Sequence, residues 1–138
     1  MPGEVPVGAV PVQRLTEPYH WAMPVTDQSP AAWLVSGDTV LASLEVARTH
    51  RERSRGLLGR DSITGALLLS PARSVHTFGM RFPIDVAHLS KDLEVLAITT
   101  MVPNRLGAPR LRSHAVVEAA AGAFDRWSVV VGDRLEIR

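Results

Sequence analysis

A mainly β fold, a small sandwich or barrel with one short helix, is what this sequence predicts. Three observations carry the expectation. Apolar residues recur with period two in short runs, clusters of Gly, Pro and Asp separate those runs, and a single stretch bears a helix-start signature. A length of 138 residues suits one hydrophobic core and leaves no room for a second. With 46% apolar and 21% charged residues, the composition is that of a folded protein rather than a disordered one.

The elements follow in chain order. Pro2, Pro6, Pro11, Pro18, Pro24 and Pro30 all precede Trp33, and their spacing denies residues 1–32 the backbone donors and dihedrals of regular structure. That segment reads as a flexible tail in which Tyr19, His20 and Trp21 form one aromatic cluster, and residues 33–138 read as a single domain. After the turn-like Ser36-Gly37-Asp38, the alternation of Val40, Ala42, Leu44 and Val46 predicts the first core strand. Thr49 and Glu52 have capping-box spacing, which predicts a helix over His50–Leu58 ending at Gly59; Gly56 inside it signals either close packing or an earlier end.

Ala66–Leu69 reads as a buried strand. Ser74–Met80 reads as another, with His76, Phe78 and Met80 on one face and Val75 and Thr77 on the other. Ile84–Leu89 and Leu93–Met101, joined by Ser90-Lys91-Asp92, have the form of a β-hairpin. The Pro and Gly content of Val102–Arg112 predicts a loop bearing Arg105, Arg110 and Arg112. Strands return at Ala115–Ala119 and Leu135–Ile137, with a helical turn near Ala123–Trp127.

Composition removes several chemistries. The absence of cysteine excludes disulfides, thiolate nucleophiles and Cys-type metal centres, and a net charge of +1 provides no overall field for nucleic acid or membrane. Any anion site must be local. The basic run Arg48, Arg51, Arg53, Arg55 and Arg60 has no interleaved aromatic residue and is diluted by Glu52, so it reads as a solvated face rather than a nucleic-acid surface. His76, His88 and His114 lack the close spacing of local metal motifs, and neither a Gly-x-Ser-x-Gly elbow nor a phosphate-binding Gly-rich loop occurs. No cofactor is implied. No export signal or membrane-length apolar run is visible, and the expectation is a cytoplasmic protein.

Unusual residues concentrate at His76-Thr77-Phe78-Gly79-Met80-Arg81-Phe82-Pro83-Ile84-Asp85. Around one bend, Arg81 is suited to clamping a carboxylate or phosphate, Asp85 to orienting it, and Phe78 and Met80 to lining an apolar pocket. The structural alternative is an Arg81–Asp85 pair that holds the turn over a core containing Phe78 and Met80. Three functions follow from these residues. The first is a non-catalytic binding module for a small polar or anionic ligand or a peptide segment, using His76, Phe78, Met80, Arg81, Asp85 and Glu118 with Arg55 and Arg105 at its border. The second is a small hydrolase or lyase that pairs His76 or His114 with Asp85 or Glu118, with or without a metal. The third is an assembly or adaptor protein that uses the tail and strand edges.

Ala47-Arg48-Thr49, Arg53-Ser54-Arg55-Gly56-Leu57-Leu58-Gly59-Arg60, the stretch His76–Asp85 and Glu118–Gly122 together resemble the bacterial and archaeal family named domain of unknown function 192. The resemblance runs from about Val40 to Ile137. It implies a compact, jelly-roll-like β fold and brings no catalytic residue, substrate or cofactor.

Overall fold

The computed structural model describes residues 32–138; the earlier segment, with Tyr19, His20 and Trp21, lies outside the described residues. The elements are β1 (Ala32–Ser36), β2 (Thr39–Ala47), α1 (His50–Arg55), β3 (Ala66–Leu69), β4 (Ile84–Leu89), β5 (Val95–Met101), β6 (Ala115–Ala120), α2 (Ala123–Arg126) and β7 (Leu135–Ile137). All seven strands join one sheet in the order β5-β4-β6-β3-β2-β1-β7. Only the β2–β3 pair is parallel, as a connection through a helix permits. The sheet curls into a half-barrel. At one end its two edges meet in a bridge between Glu94 and Arg134, with Leu135 N–H donating to the Leu93 carbonyl at 3.0 Å.

Period-two alternation divides the apolar side chains between the two faces of this sheet. Leu34, Ala42, Leu44, Leu68, Ala87, Val117 and Phe124 fill the concave inside. Leu67, Leu69, Ile84, Val86 and Val116 point outward, where Leu57, Ile63, Val75 and Met80 from the connecting segments cover them. Strands β3, β4 and β6 are therefore buried on both faces, which explains their nearly unbroken apolar sequences. A register shift opposite Leu34/Val35 leaves Leu41 as an extra residue on β2, so that Leu41 and Ala42 are both buried. Among the described residues no helix is long and apolar enough to cross a membrane.

The capping box forms. Thr49 Oγ1 accepts from Glu52 N–H at 3.1 Å and Glu52 Oε1 accepts from Thr49 N–H at 3.0 Å. The bonds its carboxylate accepts from the Thr49 and Arg48 backbone N–H groups hold Glu52 below its ordinary value. Of the two readings of Gly56, the earlier end is the one observed: α1 stops at Arg55, and Gly56 caps it at φ 49°, ψ −126°, a region that side-chain-bearing residues avoid.

Two expectations need correction. A strand, β1, precedes the one expected at Val40; its run Ala32-Trp33-Leu34-Val35 does not alternate because it lies between β2 and β7 beside the bulge. Conversely, Ser74–Met80 is not a strand; its one ladder position is an isolated His76–Leu106 bridge. The Thr77 hydroxyl takes over part of the ladder, donating to the Val102 carbonyl at 2.7 Å and accepting from Arg105 N–H at 2.9 Å. Gly79, at φ 76°, then turns the chain. The expected alternation holds from buried Val75 through exposed Phe78, and the turn returns Met80 to the core.

Candidate functional site

Position 118 lies on the outward face of β6, in line with Val116 and Ala120. Its neighbours across the sheet are Leu67 on β3 and Val86 on β4, so strand register sets the Glu118 carboxyl in an apolar frame. The residue is 4% exposed. Burial alone, opposed by no hydrogen bond or charge, pushes its carboxyl from an ordinary 4.5 up to about 7. Among the described residues no side-chain polar atom is both fully enclosed and unpartnered, and Glu118 is kept from that condition by a cavity.

The cavity, about 60 Å³, lies between the sheet and its cover. Arg53, Ser54, Arg55, Gly56 and Leu57 bound it from α1 and the following turn, Ser74, Val75, His76 and Met80 from the next connection, and Leu69 and Glu118 from the sheet. Gly56 sits close to the acid: a Cβ there would be 3.7 Å from Glu118 Oε1. His76 accepts from Phe78 N–H through Nδ1 at 3.3 Å, which in the neutral ring assigns the proton to Nε2. Its ring stacks on Phe78 with centroids 5.2 Å apart. The Arg53 guanidinium donates to the Arg48 carbonyl.

Across Arg55 and Gly56 a second, open cleft of about 260 Å³ runs over Glu45, Glu52, Arg60 and Leu67. There Arg60 grips Glu45 in a two-pronged pair, both bonds at 2.8 Å. The bonds hold the Glu45 carboxylate below its ordinary value and the Arg60 guanidinium above its own. With side chains 39% and 50% exposed, the pair organises a surface more than it stabilises the fold.

Of the residues singled out in sequence, Arg55, His76, Met80 and Glu118 converge on the small cavity, and Phe78 stands beside it on His76. Arg81 and Asp85 do not pair. Arg81 reaches Asp61 at 3.0 Å on the surface. Asp85 accepts from the Thr100 hydroxyl at 2.7 Å, Gly122 N–H at 3.0 Å and Phe124 N–H at 3.3 Å. Arg105 contributes its backbone to Thr77, and its guanidinium turns to the Asn104 carbonyl. His88 is engaged elsewhere, Nδ1 lying 2.9 Å from Ser113 Oγ, with burial first and Arg110 second lowering its ring below the usual value.

Ser54, Ser74 and Gly56 are cavity residues that the sequence did not mark as a site, and Arg53 entered only as part of a basic run. The one usable signal was the Gly inside a helical pattern. Among the described residues no group of three or more His, Asp or Glu is placed to hold a metal ion.

Residues 33–137 match the model of the domain of unknown function 192 family, described as Uncharacterized ACR. A UPF0127 protein of Pyrococcus furiosus is 41% identical over 63 residues, 46% of this chain and 54% of that protein, so the match spans about half of the relative. The Pyrococcus abyssi UPF0127 protein is 28% identical over 98 residues, 67% of this chain and 84% of its own length. In fold, the chain is similar to the crystal structure of a protein of unknown function from Novosphingobium aromaticivorans, with TM-score 0.69, 24% identity, and coverage of 83% of this chain and 89% of the other.

Proposed function

This chain belongs to the domain of unknown function 192 family, and we propose that it is a binding module for a small polar or anionic ligand seated over Glu118. The observation that carries this reading is a buried carboxyl that opens into a cavity without a partner among the described residues. Burying such a group without a hydrogen bond costs about 1–3 kcal/mol, and the sheet could have satisfied it with a neighbour, as it satisfies Asp85. A guest supplies the missing partner instead. Near neutrality the carboxyl is divided between its two forms. It donates to a carbonyl or carboxylate when protonated and accepts from an amine or amide when ionised. Arg53 and Arg55 on the wall favour an anionic portion.

Size narrows the class. Liquid water occupies about 30 Å³ per molecule, so the cavity of about 60 Å³ takes a few heavy atoms: a small acid or amide, or the head of a longer ligand. The test is a thermal-shift and amide-NMR screen with small carboxylates, amides, amines and inorganic phosphate, repeated with Glu118→Gln and Arg55→Gln. Arg81→Gln serves as a control at a distance from the cavity. A saturable response lost in the cavity variants and kept in the control supports the reading. A response indifferent to Glu118 and Arg55 refutes it.

A second reading rests on His76 and Glu118 bounding one cavity, an acid–base pair of the kind used by small hydrolases and lyases. The two readings part on one variant: Glu118→Gln that binds a ligand but no longer turns it over identifies an enzyme.

A further inference from the structure

A different surface lies on the two connections beside the cavity. Residues 73–82 and 102–113 run side by side, tied by Thr77 N–H to the Arg105 carbonyl at 2.8 Å, Gly107 N–H to the Val75 carbonyl at 2.8 Å and Arg110 N–H to the Arg73 carbonyl at 2.9 Å. Large apolar side chains stand free along this ribbon. Phe78 is 50%, Val102 47%, Leu106 72% and Leu111 86% exposed. Arginines are interleaved with them, as Arg105-Leu106, as Arg110-Leu111-Arg112, and as Arg73 on the neighbouring segment of the ribbon. No Asp or Glu occurs in residues 62–84 or 95–117, and the ion pairs formed among the described residues leave Arg73, Arg105, Arg110 and Arg112 unengaged.

We infer that this ribbon docks on an anionic membrane surface, with Leu106, Leu111 and Phe78 entering the headgroup–acyl boundary and the arginines meeting lipid phosphates. Arg110, Leu111 and Arg112 share one turn, closed by Ser113 N–H on the Arg110 carbonyl at 3.0 Å, so an exposed apolar tip lies between two cations, the composition of a lipid interface: phosphate above, hydrocarbon below. The near-neutral net charge argued against a membrane partner for the chain as a whole; the local arrangement supplies the field that the total does not.

Vesicle co-sedimentation of the full chain tests this, with phosphatidylcholine vesicles compared against the same vesicles carrying phosphatidylglycerol. The expected result is binding to the anionic vesicles that falls as salt rises and is weak on phosphatidylcholine alone. Replacing Arg105, Arg110 and Arg112 with Gln should lower partitioning by about 100-fold, at roughly fivefold per arginine. Leu106→Ser with Leu111→Ser should abolish binding at physiological salt. All five side chains are exposed, so unchanged thermal unfolding verifies that the variants fold. No binding to anionic vesicles at low salt, equal binding to both vesicle types, or full binding by either folded variant overturns the proposal.

Discussion

Two carboxyls on neighbouring strands of the same sheet meet opposite fates. Asp85 on β4 is opposite Ala119, one residue along β6 from Glu118, and the two acids project to opposite faces. Both are 4% exposed. On its side, Asp85 receives a hydroxyl and two backbone N–H groups and thereby ties β5 and the start of α2 to β4. On the other, Glu118 receives no hydrogen bond from the described residues and opens into a cavity. Depth of burial does not separate these two acids. The difference is whether the acid's hydrogen-bonding capacity is used within the fold.

The strongest way to break this contrast is Asp85→Ala. It takes the acceptor from three donors, of which the Phe124 N–H is buried, and should destabilise the domain by about 3 kcal/mol, read by urea unfolding; stability near that of the wild type would remove the structural role. Next in size is the pH dependence carried by Glu118. The folded protein holds this proton up to about pH 7 while the unfolded chain releases it near 4.5. The folded state therefore binds more protons in that window, and stability falls as pH rises through it, by about 3 kcal/mol in all. Glu118→Gln should flatten that portion of the stability profile and be the more stable protein at pH 8; a profile unchanged by the substitution would mean that Glu118 is not held protonated.

Smaller effects sharpen the comparison. Thr49→Ala removes the hydroxyl half of the capping box and should cost about 1 kcal/mol. Because α1 and its turn roof the cavity, the NMR perturbation should spread to Gly56 and Glu118 while leaving Asp85 and Gly122 unmoved. The least effect belongs to Arg81→Gln, which breaks a pair with side chains 61% and 85% exposed and should change stability by less than about 0.5 kcal/mol.

Much of the frame was readable along the chain because its signals are local. Alternation found β2, turn chemistry found the β4–β5 hairpin, and Thr49 with Glu52 found the start of α1. The site was readable only in fragments. His76 and Met80 stood out by composition and do reach the cavity, whereas Arg81, three residues before β4 begins, points to Asp61 instead. Neighbours in sequence were read as neighbours in function, yet Met80 turns into the core while Arg81, the next residue, stays on the surface. The expected strand at Ser74–Met80 failed for a related reason: its apolar spacing was right, but its partner is a loop that offers Thr77 side-chain bonds in place of a ladder.

The sequence by itself determined the β class, the capped helix and the alternation that marks β2, since each depends on residues within a few positions of one another. The partnership of Glu118 was decided by tertiary structure alone. Strand register set Leu67 and Val86 beside it, and the chain's return from α1 set Gly56 and Arg55 above it. Whether a buried acid is satisfied depends on donors brought from distant parts of the chain, and no local pattern encodes that.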